Sequence, residues 1–147
     1  MFYKRRDYTR VVNGRNPIVA HEYLGDSVEG KTVFIADDII ASGESMLEVA
    51  SNLKARGAKR IIADATFPLF TSGLDKFDKA VEEGTLDYVV GTNLTYRKPE
   101  LLNRDWYVDV DVSKYAAYFI VALNHDMSVS SIIDPIKKIE ALLANRK

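Results

Sequence analysis

A short apolar run, Thr32-Val33-Phe34-Ile35-Ala36, stops at two consecutive acids, Asp37 and Asp38, and a helical pattern begins a few residues later. The run is introduced by Glu29-Gly30-Lys31 and is too short for a buried helix, so it reads as a strand buried on both faces, as in a parallel sheet. Asp37 and Asp38 are then expected at its C-terminal end. After Gly43, the apolar residues Met46, Val49, Ala50 and Leu53 recur at helical spacing, with Gly57 as a natural C-terminal stop. Residues 60–66 read as a second strand, which makes strand, tight loop, helix and strand one right-handed crossover unit.

The same alternation continues downstream. An amphipathic helix is expected over 72–81 and strands over 87–92 and 106–110. A helix follows over 113–123 with Ser113 as N-cap, and a closing helix over 131–143 carries Asp134 and Pro135 in its first turn. The fold class is α/β: a three-layer arrangement of a mainly parallel sheet with helices on both faces. With 147 residues and 47% hydrophobic residues, a single core can form without disulfide or metal staples. Residues 18–147 make that one domain. Residues 1–17 differ, since Lys4, Arg5, Arg6, Arg10 and Arg15 face a single acid there, and they read as a mobile basic loop.

Composition removes several function classes. Twenty basic residues balance 21 acidic ones, so no global field draws the chain to nucleic acid or an anionic membrane. No cysteine is present, which leaves no thiol nucleophile, disulfide framework or cysteine zinc site and agrees with a cytoplasmic setting. No apolar run is long enough to span a bilayer. His21 and His125 lie far apart without a partner at metal-ligand spacing, and Trp106, Tyr115 and Tyr118 fall in core patterns.

The chemistry is expected at the first loop. In an open parallel sheet, ligands bind beyond the carboxyl ends of the strands, where backbone N–H groups at a helix N-terminus attract anions. Gly43 lets the backbone fold around an oxyanion, and Ser42 and Ser45 add hydroxyl donors. Asp37 and Asp38 repel one another and resist desolvation unless sugar hydroxyls or a hydrated magnesium ion recruit them. A phosphate beside a vicinal diol describes a ribose 5-phosphate moiety. The alternative is purely structural: the acids cap a turn and the serines cap the helix.

An apolar strand, Asp-Asp, two aliphatics, a small residue, Ser, Gly, a variable residue and Ser is similar to the phosphoribosyl diphosphate signature of type I phosphoribosyltransferases and diphosphate synthetases. Lys4-Arg5-Arg6 resembles the catalytic loop of the synthetases. Glu29-Gly30-Lys31-Thr32, Thr66-Phe67-Pro68, Val90-Gly91-Thr92-Asn93 and Asp126-Met127-Ser128-Val129-Ser130 resemble synthetase landmarks in the same order. The chain thus resembles the ribose-5-phosphate-binding C-terminal domain of a ribose-phosphate diphosphokinase.

The resemblance implies an activity in which the β,γ-diphosphoryl group of ATP passes to the anomeric hydroxyl of ribose 5-phosphate, with Mg2+ required. Phosphoribosyl diphosphate and AMP are the products. Asp37 and Asp38 match acids that hold the ribose hydroxyls and touch metal, if at all, through water. Ala41, Ser42, Gly43, Glu44 and Ser45 match the loop around the 5-phosphate, and Lys4 and Arg6 match cations that close over the transferring group. Ser128 and Ser130 match a pair at an effector phosphate between subunits, which implies a homo-oligomer; plain turn and cap serines are the other reading. Two positions depart from the family pattern: Ala41 stands where an Asp is common, and Glu44 where a small residue is. The N-terminal ATP-binding half has no counterpart here, so the chain is expected to be inactive alone. A regulatory subunit or a small phosphoribosyltransferase are the alternatives.

Overall fold

The computed structural model describes the backbone of residues 2–6, 18–23 and 25–145 and, apart from Lys137, the side chains of residues 25–145. Its main sheet has four parallel strands in the order β3-β4-β5-β6: β3 (Thr32–Ile40), β4 (Arg60–Pro68), β5 (Tyr88–Thr92) and β6 (Tyr107–Val110). Helix α1 (Glu44–Ala55) connects β3 to β4, α2 (Asp75–Glu82) connects β4 to β5, and the short α3 (Pro99–Leu102) precedes β6. This is the expected α/β alternation.

The core explains the placement of the two long connecting helices. Along β4, Ile61, Ala63 and Ala65 are fully buried while Ile62, Asp64 and Thr66 between them are half-buried, the period-2 signature of one face pressed into a core. Met46, Ala50 and Leu53 of α1 and Phe77 and Ala80 of α2 share that core with Val89 and Tyr107. Burying Phe77 completely (0% exposed) contributes about 2–3 kcal/mol. Helix α1 ends where expected: Gly57 (φ 84°) donates to the Lys54 carbonyl at 2.9 Å, and Ala58 to Leu53 at 3.2 Å, the paired bonds of a Schellman stop.

A carboxylate that the sequence reading missed ties α2 to the segment before β6. Asp78 accepts two hydrogen bonds from Arg104, at 2.9 and 2.8 Å, and one from the Trp106 indole N–H at 2.7 Å. Three donors on one half-exposed acid fix the height of α2 over the sheet.

Several expectations are corrected. β3 is an edge strand whose opposite face is not buried: Phe34 is 59% exposed, and it lies in register with Ile62 and Tyr88. The strand also runs on through Asp37 and Asp38 to Ile40. Residues 2–6, expected as part of a loop, form strand β1 (Phe2–Arg6), antiparallel to β2 (Ile18–Tyr23); residues 7–17 lie outside the described residues. Helix α4 (Ser113–Asn124) is preceded by Val112 at the N-cap, with Ser113 inside the helix and its N–H held by Asp111 at 2.9 Å. The closing helix is two helices, α5 (Ser130–Ile133) and α6 (Ile136–Ala144), because the chain turns extended at Asp134 before Pro135. Trp106 is buried as expected, but Tyr115 and Tyr118 are surface residues stacked edge-on at 6.4 Å.

Candidate functional site

Beyond Ile40 the chain leaves the sheet through Ala41 and Ser42 and enters α1 at Gly43, which is its N-cap. Gly43 has φ 79°, a conformation that costs other residues about 1–2 kcal/mol. It is also pressed against the core, since a Cβ there would stand 2.3 Å from two atoms of the Phe77 ring. Glycine is required on both counts. Gly43 has no side chain to cap α1, the Glu44 N–H reaches Ser42 Oγ at 3.5 Å, and the positive end of the helix dipole favours an anion there.

A cleft of about 160 Å³ lies there, lined by Asp37, Ala41, Ser42, Gly43, Ser45 and Met46 among others. That volume is well below the few hundred Å³ of a pocket that swallows a whole ligand, so it suits one end of a molecule such as a phosphate group. The structure therefore gathers five of the expected loop and strand residues on one concave surface. Asp38 is next in the strand, its N–H donating to Asp37 Oδ1 at 2.9 Å. Successive strand side chains point to opposite faces, which separates Asp38 from the cleft lining.

Glu44 is turned to a partner outside the loop: its Oε1 accepts from Lys76 Nζ in α2 at 2.7 Å. Lys76 is the residue the sequence reading did not single out, because a contact 32 positions apart leaves no local pattern. The loop is held from below by the segment after β4. Leu69 and Phe70 donate to the Ile40 carbonyl at 2.9 and 3.2 Å, and Thr71 donates to Ala41 at 2.9 Å. Phe70 sits at φ 47°, unusual for a bulky residue, with its ring edge-on to Phe77 at 4.9 Å and to Tyr107 at 6.2 Å.

The remaining expected residues lie elsewhere. Lys4 and Arg6 belong to β1, and their side chains lie outside the described residues. Ser128 Oγ accepts from the Ser130 N–H at 3.3 Å and the two hydroxyls share a short hydrogen bond, the arrangement of a turn that leads into α5. His125 follows α4 as an exposed C-cap. Among the described residues no group of three or more His, Cys, Asp or Glu could hold a metal ion. A larger cavity of about 290 Å³, floored by Phe70, Leu74 and Leu101 with Tyr96 and Lys98 at its rim, contains none of the expected residues. The smaller cleft remains the better candidate because five of the expected residues line it around the N-cap of α1.

The chain matches the phosphoribosyl transferase domain over residues 1–116 and belongs to that family. Its relatives include the ribose-phosphate pyrophosphokinase of Vibrio cholerae, 30% identical over 111 residues, covering 76% of this chain and 34% of the relative. The corresponding enzyme of Shewanella oneidensis is 29% identical over 109 residues, 74% of this chain and 33% of the relative. The orotate phosphoribosyltransferase of Oceanobacillus iheyensis is 41% identical over a shorter stretch of 64 residues, 44% of this chain and 30% of that protein. In fold, the chain resembles the phosphoribosylpyrophosphate synthetase of Mycobacterium smegmatis, with a TM-score of 0.58 at 23% identity over 76% of this chain and 34% of that one. The chain spans about a third of the length of the pyrophosphokinases it matches. No helix among the described residues is long and apolar enough to cross a membrane.

Proposed function

We propose that this chain is the ribose-5-phosphate-binding part of a ribose-phosphate diphosphokinase. The observation that carries the proposal is the N-terminus of α1 behind Gly43, sharing one cleft with Asp37, Ser42 and Ser45. The loop N–H groups and Ser42 and Ser45 bind the 5-phosphate, and Asp37 accepts hydrogen bonds from the ribose hydroxyls. Binding at both ends orients the anomeric hydroxyl.

In the complete reaction that hydroxyl oxygen attacks the β-phosphorus of ATP, the bond from β-phosphorus to the oxygen bridging to the α-phosphorus breaks, and AMP leaves. The hydroxyl proton is released. Lys4 and Arg6 of the basic head neutralise the charge spread over the transferring oxygens. The exposed carboxylate of Asp37 would hold a hydrated magnesium ion through water. The ion supplies charge neutralisation on the phosphates when bound. An ATP-binding half is required for turnover, in a homo-oligomer of the cytoplasm.

Adding ribose 5-phosphate to the isotope-labelled chain is expected to shift the backbone amide resonances of residues 42–46 to saturation. Unmoved resonances there at high ligand concentration contradict the proposal. The stretch shared with an orotate phosphoribosyltransferase favours a second reading, a base-transferring enzyme, which predicts diphosphate release from phosphoribosyl diphosphate plus orotate. The first reading predicts none.

A further inference from the structure

Residues of the segments 68–75 and 96–104 line a cavity of about 290 Å³ that shares no lining residue with the phosphate cleft. Buried Phe70, Leu74 and Leu101 give it an apolar floor. Phe70 keeps an unusual backbone conformation there, φ 47°, with its ring edge-on to Phe77 at 4.9 Å. Strain of this kind in a bulky residue persists only where the surroundings enforce it, and it gathers at ligand sites. Tyr96 adds a second aromatic wall and is 81% exposed.

The charges around the cavity decide what it can hold. Arg104 is neutralised by Asp78 through two hydrogen bonds. The side chains of Asp75, Lys98 and Glu100 make no ion pair or hydrogen bond among the described residues. Two acids against one lysine leave the mouth negative by one charge, which disfavours phosphates and carboxylates and favours a cation or a strong N–H donor. Tyr96 reinforces that preference, because the face of an aromatic ring attracts cations. A volume near the lower limit of ligand pockets, on the order of 300 Å³, holds one or two rings and not a whole nucleotide.

We propose that this cavity is a second ligand site, for a planar aromatic ring that carries a cationic or amino N–H group. The ring lies on Phe70, Leu74 and Leu101 beside Tyr96, and its N–H group donates to a carboxylate at the rim, Asp75 or Glu100. The inference goes beyond the sugar-phosphate reading and does not rest on it, since the two sites have separate linings and either can fail alone.

The test is a titration of the isotope-labelled chain with benzamidine, and with benzoate as the same ring carrying the opposite charge, followed through backbone amide resonances. Benzamidine is expected to shift Phe70, Gly73, Leu74 and Leu101 saturably, and benzoate to bind at least about tenfold more weakly. Tyr96→Ala is expected to weaken benzamidine about fivefold. Asp75→Asn combined with Glu100→Gln is expected to weaken it roughly tenfold at low salt, with the deficit shrinking as salt rises. Tyr96, Asp75 and Glu100 are exposed, so these variants should unfold in urea as the parent does. Ribose 5-phosphate added to the benzamidine complex is expected to leave the shifts in place. Unmoved resonances at these four residues, benzoate binding as tight as benzamidine, or affinity indifferent both to Tyr96 and to the two acids overturns the inference. Reversal of the shifts by ribose 5-phosphate also overturns it, because both molecules would then occupy one site.

Discussion

Replacing Gly43 by alanine probes the loop and its support together, and the structure divides the cost into two parts. Holding alanine at φ 79° costs about 1–2 kcal/mol. The added methyl would stand 2.3 Å from two ring atoms of Phe77, a residue with no solvent exposure, so the ring must shift in a filled core at about 1–3 kcal/mol. The sum, about 2–5 kcal/mol, corresponds to a fall in Tm on the order of 10 °C for a chain of this size. Gly30 offers the control: it has φ 69° with nothing within 4 Å of a Cβ, so Gly30→Ala carries the strain without the clash. Urea unfolding should show Gly43→Ala losing more stability than Gly30→Ala, the difference being the Phe77 contribution. Titration with ribose 5-phosphate should show a loss of at least about tenfold for Gly43→Ala only, because displacing the N-cap turns the first-turn N–H groups away from the cleft. Equal destabilisation by the two variants, or undiminished binding by Gly43→Ala, refutes the argument.

Other outcomes follow from the same contacts. Asp37→Asn should lower ribose 5-phosphate affinity about tenfold or more while changing the unfolding free energy by less than about 0.5 kcal/mol, since the residue is exposed; a loss of stability without a binding change would assign it to folding. Asp78→Ala leaves Arg104 and the Trp106 indole without their acceptor and should cost about 1–3 kcal/mol in chemical unfolding. Tyr107 is buried, its hydroxyl has no hydrogen-bond partner among the described residues, and burial pushes its pKa up to about 12. A pKa raised in the fold from an unfolded value of about 10 means full stability below about pH 10 and loss as pH climbs toward 12. Tyr107→Phe should match the parent at pH 8 and lose less than it does in urea melts at pH 11; parallel losses would place the alkaline sensitivity elsewhere.

The local parts of the fold were legible because they are written in neighbouring residues. The helical spacing of Met46, Ala50 and Leu53, the stop at Gly57 and the turn at Ser42-Gly43 all stand in the structure where periodicity and backbone chemistry put them. The apolar run in β3 misled about burial, since a strand rich in Phe and Ile looks the same at a sheet edge as at its centre, and only strand order reveals that Phe34 is open. Charge misled at residues 2–6, where basic side chains suggested a loop although backbone pairing with β2 makes a strand. Pro135 divided a helix that its apolar spacing had joined, because the residue before a proline avoids helical angles. The bonds from Lys76 to Glu44 and from Arg104 to Asp78 span long separations, so neither contact had a signal in the sequence.

The central claim is that the cleft at the start of α1 recognises a sugar phosphate by both its ends. Calorimetric titration of the chain with ribose 5-phosphate, with ribose and inorganic phosphate as partial ligands, tests it directly. Saturable binding of one ribose 5-phosphate per chain, tighter than either partial ligand and weakened by Asp37→Asn, is the expected result. Absence of saturation, or binding no tighter than inorganic phosphate and indifferent to Asp37, contradicts it.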